Sequence, residues 1–206
     1  HMNTNGAIGS GVILGAGGSG ATWNGAFTAT LSGRTTLNSG TVSANLDNAS
    51  GGEIYISDSY NLVTVTGSVN NQAGAYITIE DWGDPNPTTL AISGGLTNAG
   101  NITLETRAAS QNGVLNVTGG GMTNTGTITL KFGNGNGNQV IIGNLLNNGG
   151  TFAFNQNGTY QGGTFTNQGT ITAGSGFTLT VASGATMAIG AGAAFSAGMD
   201  IKEYFR

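Results

Sequence analysis

The sequence predicts an all-β protein folded as a parallel β-helix, a solenoid with about three short strands per turn of roughly 25 residues. Three observations predict it. First, a phrase made of an apolar residue, any residue and then Asn recurs six times: Leu46-Asp47-Asn48, Val69-Asn70-Asn71, Leu96-Thr97-Asn98, Met122-Thr123-Asn124, Leu146-Asn147-Asn148 and Phe165-Thr166-Asn167. Its Asn residues are 23, 27, 26, 24 and 19 positions apart. Second, each phrase is followed by glycine and then a short β-prone run: Ile54-Tyr55-Ile56, Ile77-Thr78-Ile79, Ile102-Thr103-Leu104, Ile128-Thr129-Leu130, Phe152-Ala153-Phe154 and Ile171-Thr172-Ala173. Third, no helical periodicity lies inside the repeat, and the chain has 2 Pro and 39 Gly in 206 residues. Proline cannot donate to a strand ladder, so its scarcity suits long stacks of paired strands.

Residues 114–130 show one turn most clearly. Val114-Leu115-Asn116-Val117-Thr118 alternates apolar and polar residues, as a strand with one buried face does. Gly119-Gly120-Gly121 ends it. Met122-Thr123-Asn124 forms a second, very short strand, Thr125-Gly126 turns the chain, and Thr127-Ile128-Thr129-Leu130 forms the third. Lys131-Phe132 and a Gly/Asn loop over 133–138 then lead to Gln139-Val140-Ile141-Ile142, where the unit restarts. Leu90 to Leu104 and Val63 to Ile79 repeat the same order. Each Asn stands two residues after an inward apolar side chain, so it too should point inward or sit at the corner. There its amide can donate to the amide one turn along, giving a structural ladder of Asn48, Asn71, Asn98, Asn124, Asn148 and Asn167.

The pattern weakens at both ends. His1-Met2 reads as a cloning scar, residues 3–35 as irregular turns or a cap, 36–182 as the repeats, and 183–206 as short final turns with a cap or truncation point. A solenoid needs polar caps at its ends. Composition removes several functions. The 5 basic residues are too few and too scattered to follow a phosphate backbone, so no nucleic-acid partner is expected. No apolar run approaches the length of a membrane-spanning helix. There is no Cys, and the one His is His1, so thiol, Ser–His and zinc chemistry are not expected.

Units of the form L-x-V-x-G-G-L-x-N-x-G-x-I-T-L, from about Thr36 to Val181, resemble the passenger β-helices of secreted bacterial adhesins of the filamentous-haemagglutinin and autotransporter type. The resemblance implies a right-handed parallel β-helix. It also implies secretion to the bacterial cell surface and contact with a host, sibling-cell or matrix surface, through protein or glycan. The expectation is a non-enzymatic stalk that carries a binding surface.

The acidic segment Glu80-Asp81-Trp82-Gly83-Asp84-Pro85-Asn86-Pro87 interrupts the repeat and holds both prolines. Carboxylates at Glu80, Asp81 and Asp84 offer a weak calcium site, and an exposed Trp82 offers a platform for a sugar ring. The plainer reading is a surface loop of turn-forming residues. Counting along the third strand puts Glu80, Glu105 and Lys131 at equivalent positions in successive turns, with Arg107 two residues along the same face. These residues form the expected ligand-binding set: Glu80, Asp81, Trp82, Asp84, Glu105, Arg107 and Lys131. The same set defines the alternative, a carbohydrate-binding or polysaccharide-lyase-like β-helix. Thr78, Thr103, Thr129 and Thr172 should form an outward row, broken by Tyr55 and Ala153, as β-propensity alone would produce.

Overall fold

The computed structural model describes residues 6–8, 12–14, 21–57, 62–82, 86–107, 112–134, 137–196 and 200–203, with side chains described over the residues of this set from 28 to 196. The fold is a parallel β-solenoid of about six turns, with no helix among the described residues. Among the described residues, the strands pair in parallel with their equivalents in the neighbouring turns, on both sides except at the ends of each stack. In one turn the three strands are Leu62–Val65, Val69–Asn71 and Tyr76–Asp81; in the next they are Thr88–Ile92, Gly95–Asn98 and Asn101–Thr106. The third strands stack into a 9-stranded sheet. The first and second stacks count as one sheet because the strand Gly40–Asn48 belongs to both. Its start pairs with Val63–Val65, and its end pairs with Val69–Asn71. Strands also stack outside residues 36–182: Arg34–Leu37 pairs with Glu53–Ser57, and Thr186–Ile189 pairs with Thr164–Asn167.

Alternation within each strand decides what fills the interior. In the third stack, Ile54, Ile77, Ile102, Ile128, Phe152 and Ile171 form one fully buried column. Val63, Leu90, Leu115, Ile141, Tyr160 and Val181 form another in the first stack. The shortest turn compensates with aromatics: the ring centre of Phe165 lies 5.0 Å from that of Phe152 and 5.5 Å from that of Tyr160. Each such buried side chain contributes about 1.5–3 kcal/mol through removal from water.

The second stack carries the amide ladder. The Nδ2 of Asn48 donates to Oδ1 of Asn71 at 2.7 Å, Asn71 to Asn98 at 2.7 Å, Asn98 to Asn124 at 2.7 Å, Asn124 to Asn147 at 2.7 Å, and Asn147 to Asn167 at 2.6 Å. From Asn48 to Asn147 each Nδ2 also donates to a backbone carbonyl at the start of a third-stack strand: Tyr76, Asn101, Thr127, Thr151 or Thr170. One rung differs from the sequence expectation. Asn147, fully buried, occupies the ladder, and Asn148 is exposed. The phrase fits Leu145-Leu146-Asn147 as well as Leu146-Asn147-Asn148, and pairing of Leu145 with Met122 selects the former. A one-residue slip would have turned every side chain of that strand to the opposite face.

The glycine after each phrase follows from how closely the turns approach. A Cβ on Gly126 would lie 2.1 Å from the carbonyl oxygen of Gly100, and one on Gly169 would lie 2.2 Å from that of Gly150. No side chain fits at these two positions, although Ala75 holds the equivalent place one turn before Gly100.

Two outcomes test this architecture. Asn147→Ala leaves the buried Nδ2 of Asn124 without its amide acceptor and the Oδ1 of Asn167 without its Asn147 donor. It should cost roughly 1–3 kcal/mol in denaturant unfolding. Asn148→Ala should fall within about 0.5 kcal/mol of wild type; equal losses at the two positions would place the wrong residue inside. Burial also raises the Tyr160 phenol above its ordinary value, while its hydroxyl donates to the Gly143 carbonyl. The folded chain therefore keeps this proton where the unfolded chain releases it. The stability this contributes is complete below pH 10 and is lost as pH rises toward the folded value. Melting temperature should fall above pH 10, and less steeply in Tyr160→Phe.

Candidate functional site

The outer face of the third stack brings distant residues together by register alone. Ser57, Glu80, Glu105 and Lys131 are cross-strand neighbours in four successive turns. One row over, Tyr55 neighbours Thr78, and Thr78 neighbours Thr103. Arg34 neighbours Glu53 at the near end of the strands. Just past their far end, Arg107 donates its backbone N–H to the carbonyl of Asp81 at 2.7 Å, which sets its side chain beside Trp82.

These side chains form one charged and aromatic network. The Arg107 guanidinium pairs with Glu80 and lies 3.5 Å from Glu105, so it bridges the two stacked carboxylates. Lys131 Nζ donates to Glu105 at 2.8 Å. Glu80 accepts further hydrogen bonds from the Tyr55 hydroxyl and from Trp82 Nε1 at 3.2 Å. Arg34 lies 3.5 Å from Glu53, which accepts from the Thr78 hydroxyl at 3.0 Å. The guanidinium of Arg34 lies 3.7 Å from the Tyr55 ring centre, and that of Arg107 lies 5.6 Å from the Trp82 ring centre. Attraction to Glu80 raises the Arg107 pKa further. Burial, and then the hydrogen bond to Glu80, raise the Tyr55 phenol.

The layering is asymmetric. Glu80 is 3 % exposed and Glu105 7 %, whereas the side chains of Arg107 and Lys131 are 44 % and 52 % exposed. Trp82 is 51 % exposed. The acids form the floor, and the cations and the indole form the surface. The network lines a shallow concavity of about 450 Å³.

Of the residues expected from the sequence, Glu80, Trp82, Glu105, Arg107 and Lys131 meet here. Asp81 does not. Neighbouring residues in a strand point to opposite faces, so Asp81 turns inward. There it is fully buried and accepts the backbone N–H of Thr88 at 2.8 Å, holding the corner between the third and first stacks. Opposite orientation separates it from Glu80 as a shared cation ligand. Asp84 lies outside the described residues. Among the described residues, no group of three His, Cys, Asp or Glu is placed to hold a metal ion, and no helix is long and apolar enough to cross a membrane. The sequence reading did not include Arg34, Glu53, Tyr55, Thr78 and Thr103 in the site. Extending the register count back one turn from Thr78 would have found Tyr55, already visible as a break in the outward Thr row.

The fold and this face define the class: a β-solenoid with one charged-aromatic strip on its side. No protein-family model matches the chain, and neither curated proteins nor solved structures give a match.

Removing the bridging cation should unmask repulsion between the stacked carboxylates. Arg107→Gln should lower the melting temperature by about 2–4 °C, more than Lys131→Gln does. Adding Glu105→Gln to Arg107→Gln should restore most of the loss. No recovery in the double variant would mean that Arg107 does not act by bridging charge.

Proposed function

We propose that this chain is a non-enzymatic segment of a secreted or cell-surface bacterial adhesin, a stiff β-helical stalk bearing a binding surface on its third face. The observation that carries this reading is the segregation of charge. All three described basic side chains, Arg34, Arg107 and Lys131, line one concavity together with exposed Trp82. Elsewhere on the described surface the outward positions carry no basic side chain and one carboxylate, Asp47, among Thr, Asn, small residues and scattered apolar ones such as Leu62, Phe132 and Ile189. A stalk needs only a repeating core; a stalk that also holds cations over buried acids has a place to grip. The partner would be a host, sibling-cell or matrix surface.

The alternative, a polysaccharide-cleaving β-helix, needs a basic group free to take a proton. Lys131 and Arg107 are both engaged by carboxylates, and the Glu80 contact makes Arg107 hold its proton more tightly. This favours binding without cleavage.

Beads coated with the chain test the reading. They should adhere to at least one of an epithelial monolayer, a bacterial layer and a matrix film. Adhesion should drop about tenfold when Trp82→Ala, Arg107→Gln and Lys131→Gln are combined, as loss of a hot-spot cluster would give. Adhesion no better than that of albumin-coated beads on all three surfaces would overturn it. Release of unsaturated sugars from polygalacturonate or alginate would favour the cleaving alternative.

A further inference from the structure

We infer that the third face takes an acidic polysaccharide, a chain of pyranose units bearing carboxylate or sulfate groups, laid along the solenoid axis at about one sugar per turn. This rests on the binding-surface reading above and names the ligand class for that same face.

Charge gives the first argument. A ligand approaching the concavity meets the ends of Arg107 and Lys131 before Glu80 and Glu105, which lie beneath them, and Arg34, 52 % exposed, stands further out than Glu53, 27 % exposed. The buried acids orient the guanidinium and ammonium groups while leaving donors free. Arg107 engages its two glutamates through Nε, and a planar guanidinium has further N–H donors suited to a carboxylate or sulfate. The chain as a whole carries −4, whereas on this face the three cations offset Glu53, Glu80 and Glu105 and stand outermost, so an anion is repelled less here than elsewhere.

The aromatic groups give the second. Trp82 exposes half its surface, with its N–H tied to Glu80, which fixes the ring without covering it. An indole face held this way packs against the C–H face of a pyranose ring.

Spacing gives the third. Cross-strand neighbours repeat at about 4.8 Å, close to the length of one pyranose unit in an extended polysaccharide. From the Arg34 strand to the Lys131 strand is four such steps, roughly 19 Å. A bound peptide strand advances about 3.3 Å per residue and points alternate side chains away, so its acidic groups would fall out of step with the turns. A nucleic acid would need many more phosphate contacts than three cations supply.

Calorimetry with the full chain tests the inference, using hexasaccharides of polygalacturonate, of heparin and of neutral cellulose. Either anionic probe should bind, and which one binds best names the charged group. Disaccharides of the same probe should bind at least about tenfold more weakly, added salt should weaken binding, and Arg107→Gln, Lys131→Gln and Trp82→Ala should each cost about fivefold to tenfold. Asp47→Asn, on the outer face of the second stack, should change nothing. Because Lys131 is half exposed, Lys131→Gln keeps the test open if Arg107→Gln proves unstable. Failure of both anionic probes, equal binding of the neutral one, or binding indifferent to Lys131→Gln would overturn the inference. If the beads still adhered in a Trp82-dependent way when no acidic sugar bound, only the ligand class would fall, and the adhesin reading would stand.

Discussion

Everything in this molecule depends on one close approach: each turn lies directly on the last, near enough for a side-chain amide to reach its equivalent. The asparagine ladder is where this constraint is strictest. Between one rung and the next, Nδ2 makes one bond to the amide above and one to a backbone carbonyl, so each interior group is matched without water. Gly100, Gly126, Gly150 and Gly169 then let the following bend pass within contact distance of the bend below. A buried polar column is costly when incomplete and rigid when complete. Within the ladder, only Asn48 Oδ1, at the lower end, lacks a partner among the described residues; the equivalent position one turn below is Leu31.

The same register converts a sparse sequence into a concentrated surface. Residues 19 to 27 positions apart become neighbours at one strand spacing, so six charged side chains drawn from five turns meet on a single strip. Stacking alone would set Glu80 against Glu105. Arg107 enters from just beyond the end of the strand and separates their charges, and Lys131 completes the row. The strip is thus a by-product of the ladder's geometry that the sequence has turned to local balance.

How much of this was legible depended on whether a residue could be counted from an unambiguous strand. Ile102-Thr103-Leu104 and Ile128-Thr129-Leu130 align without choice, so Glu105 and Lys131 were placed as neighbours from the sequence. Leu145-Leu146-Asn147-Asn148 satisfies the same phrase in two frames, and only the pairing of the whole strand decides between them. Glu80 and Asp81 looked like one acidic pair because adjacency in sequence hides the pleat, which sends them to opposite sides of the sheet. Arg34 escaped notice because the repeat is loose before the first Asn phrase, and with it went the partner of Glu53, although the adjoining run Ile54-Tyr55-Ile56 was aligned; the tie between those strands is backbone pairing, which leaves little mark on composition.

Turn length varies, and most of the variation falls in one place. The rungs from Asn71 to Asn98 are 27 residues apart and those from Asn147 to Asn167 are 20, yet the bonds they make are alike. The surplus sits where the third strand hands over to the first: between Asp81 and Thr88, between Thr106 and Gly113, and between Lys131 and Gln139, whereas Phe154 and Gly158 are joined almost directly. The strand ends that flank these connections stack on the same edge in successive turns, beside the charged strip. Insertions, deletions and substitutions can therefore accumulate along that edge without reaching the amide column on the other side. The rod has a conservative spine and a permissive margin, so the chain can diversify what it touches while keeping the scaffold that presents it.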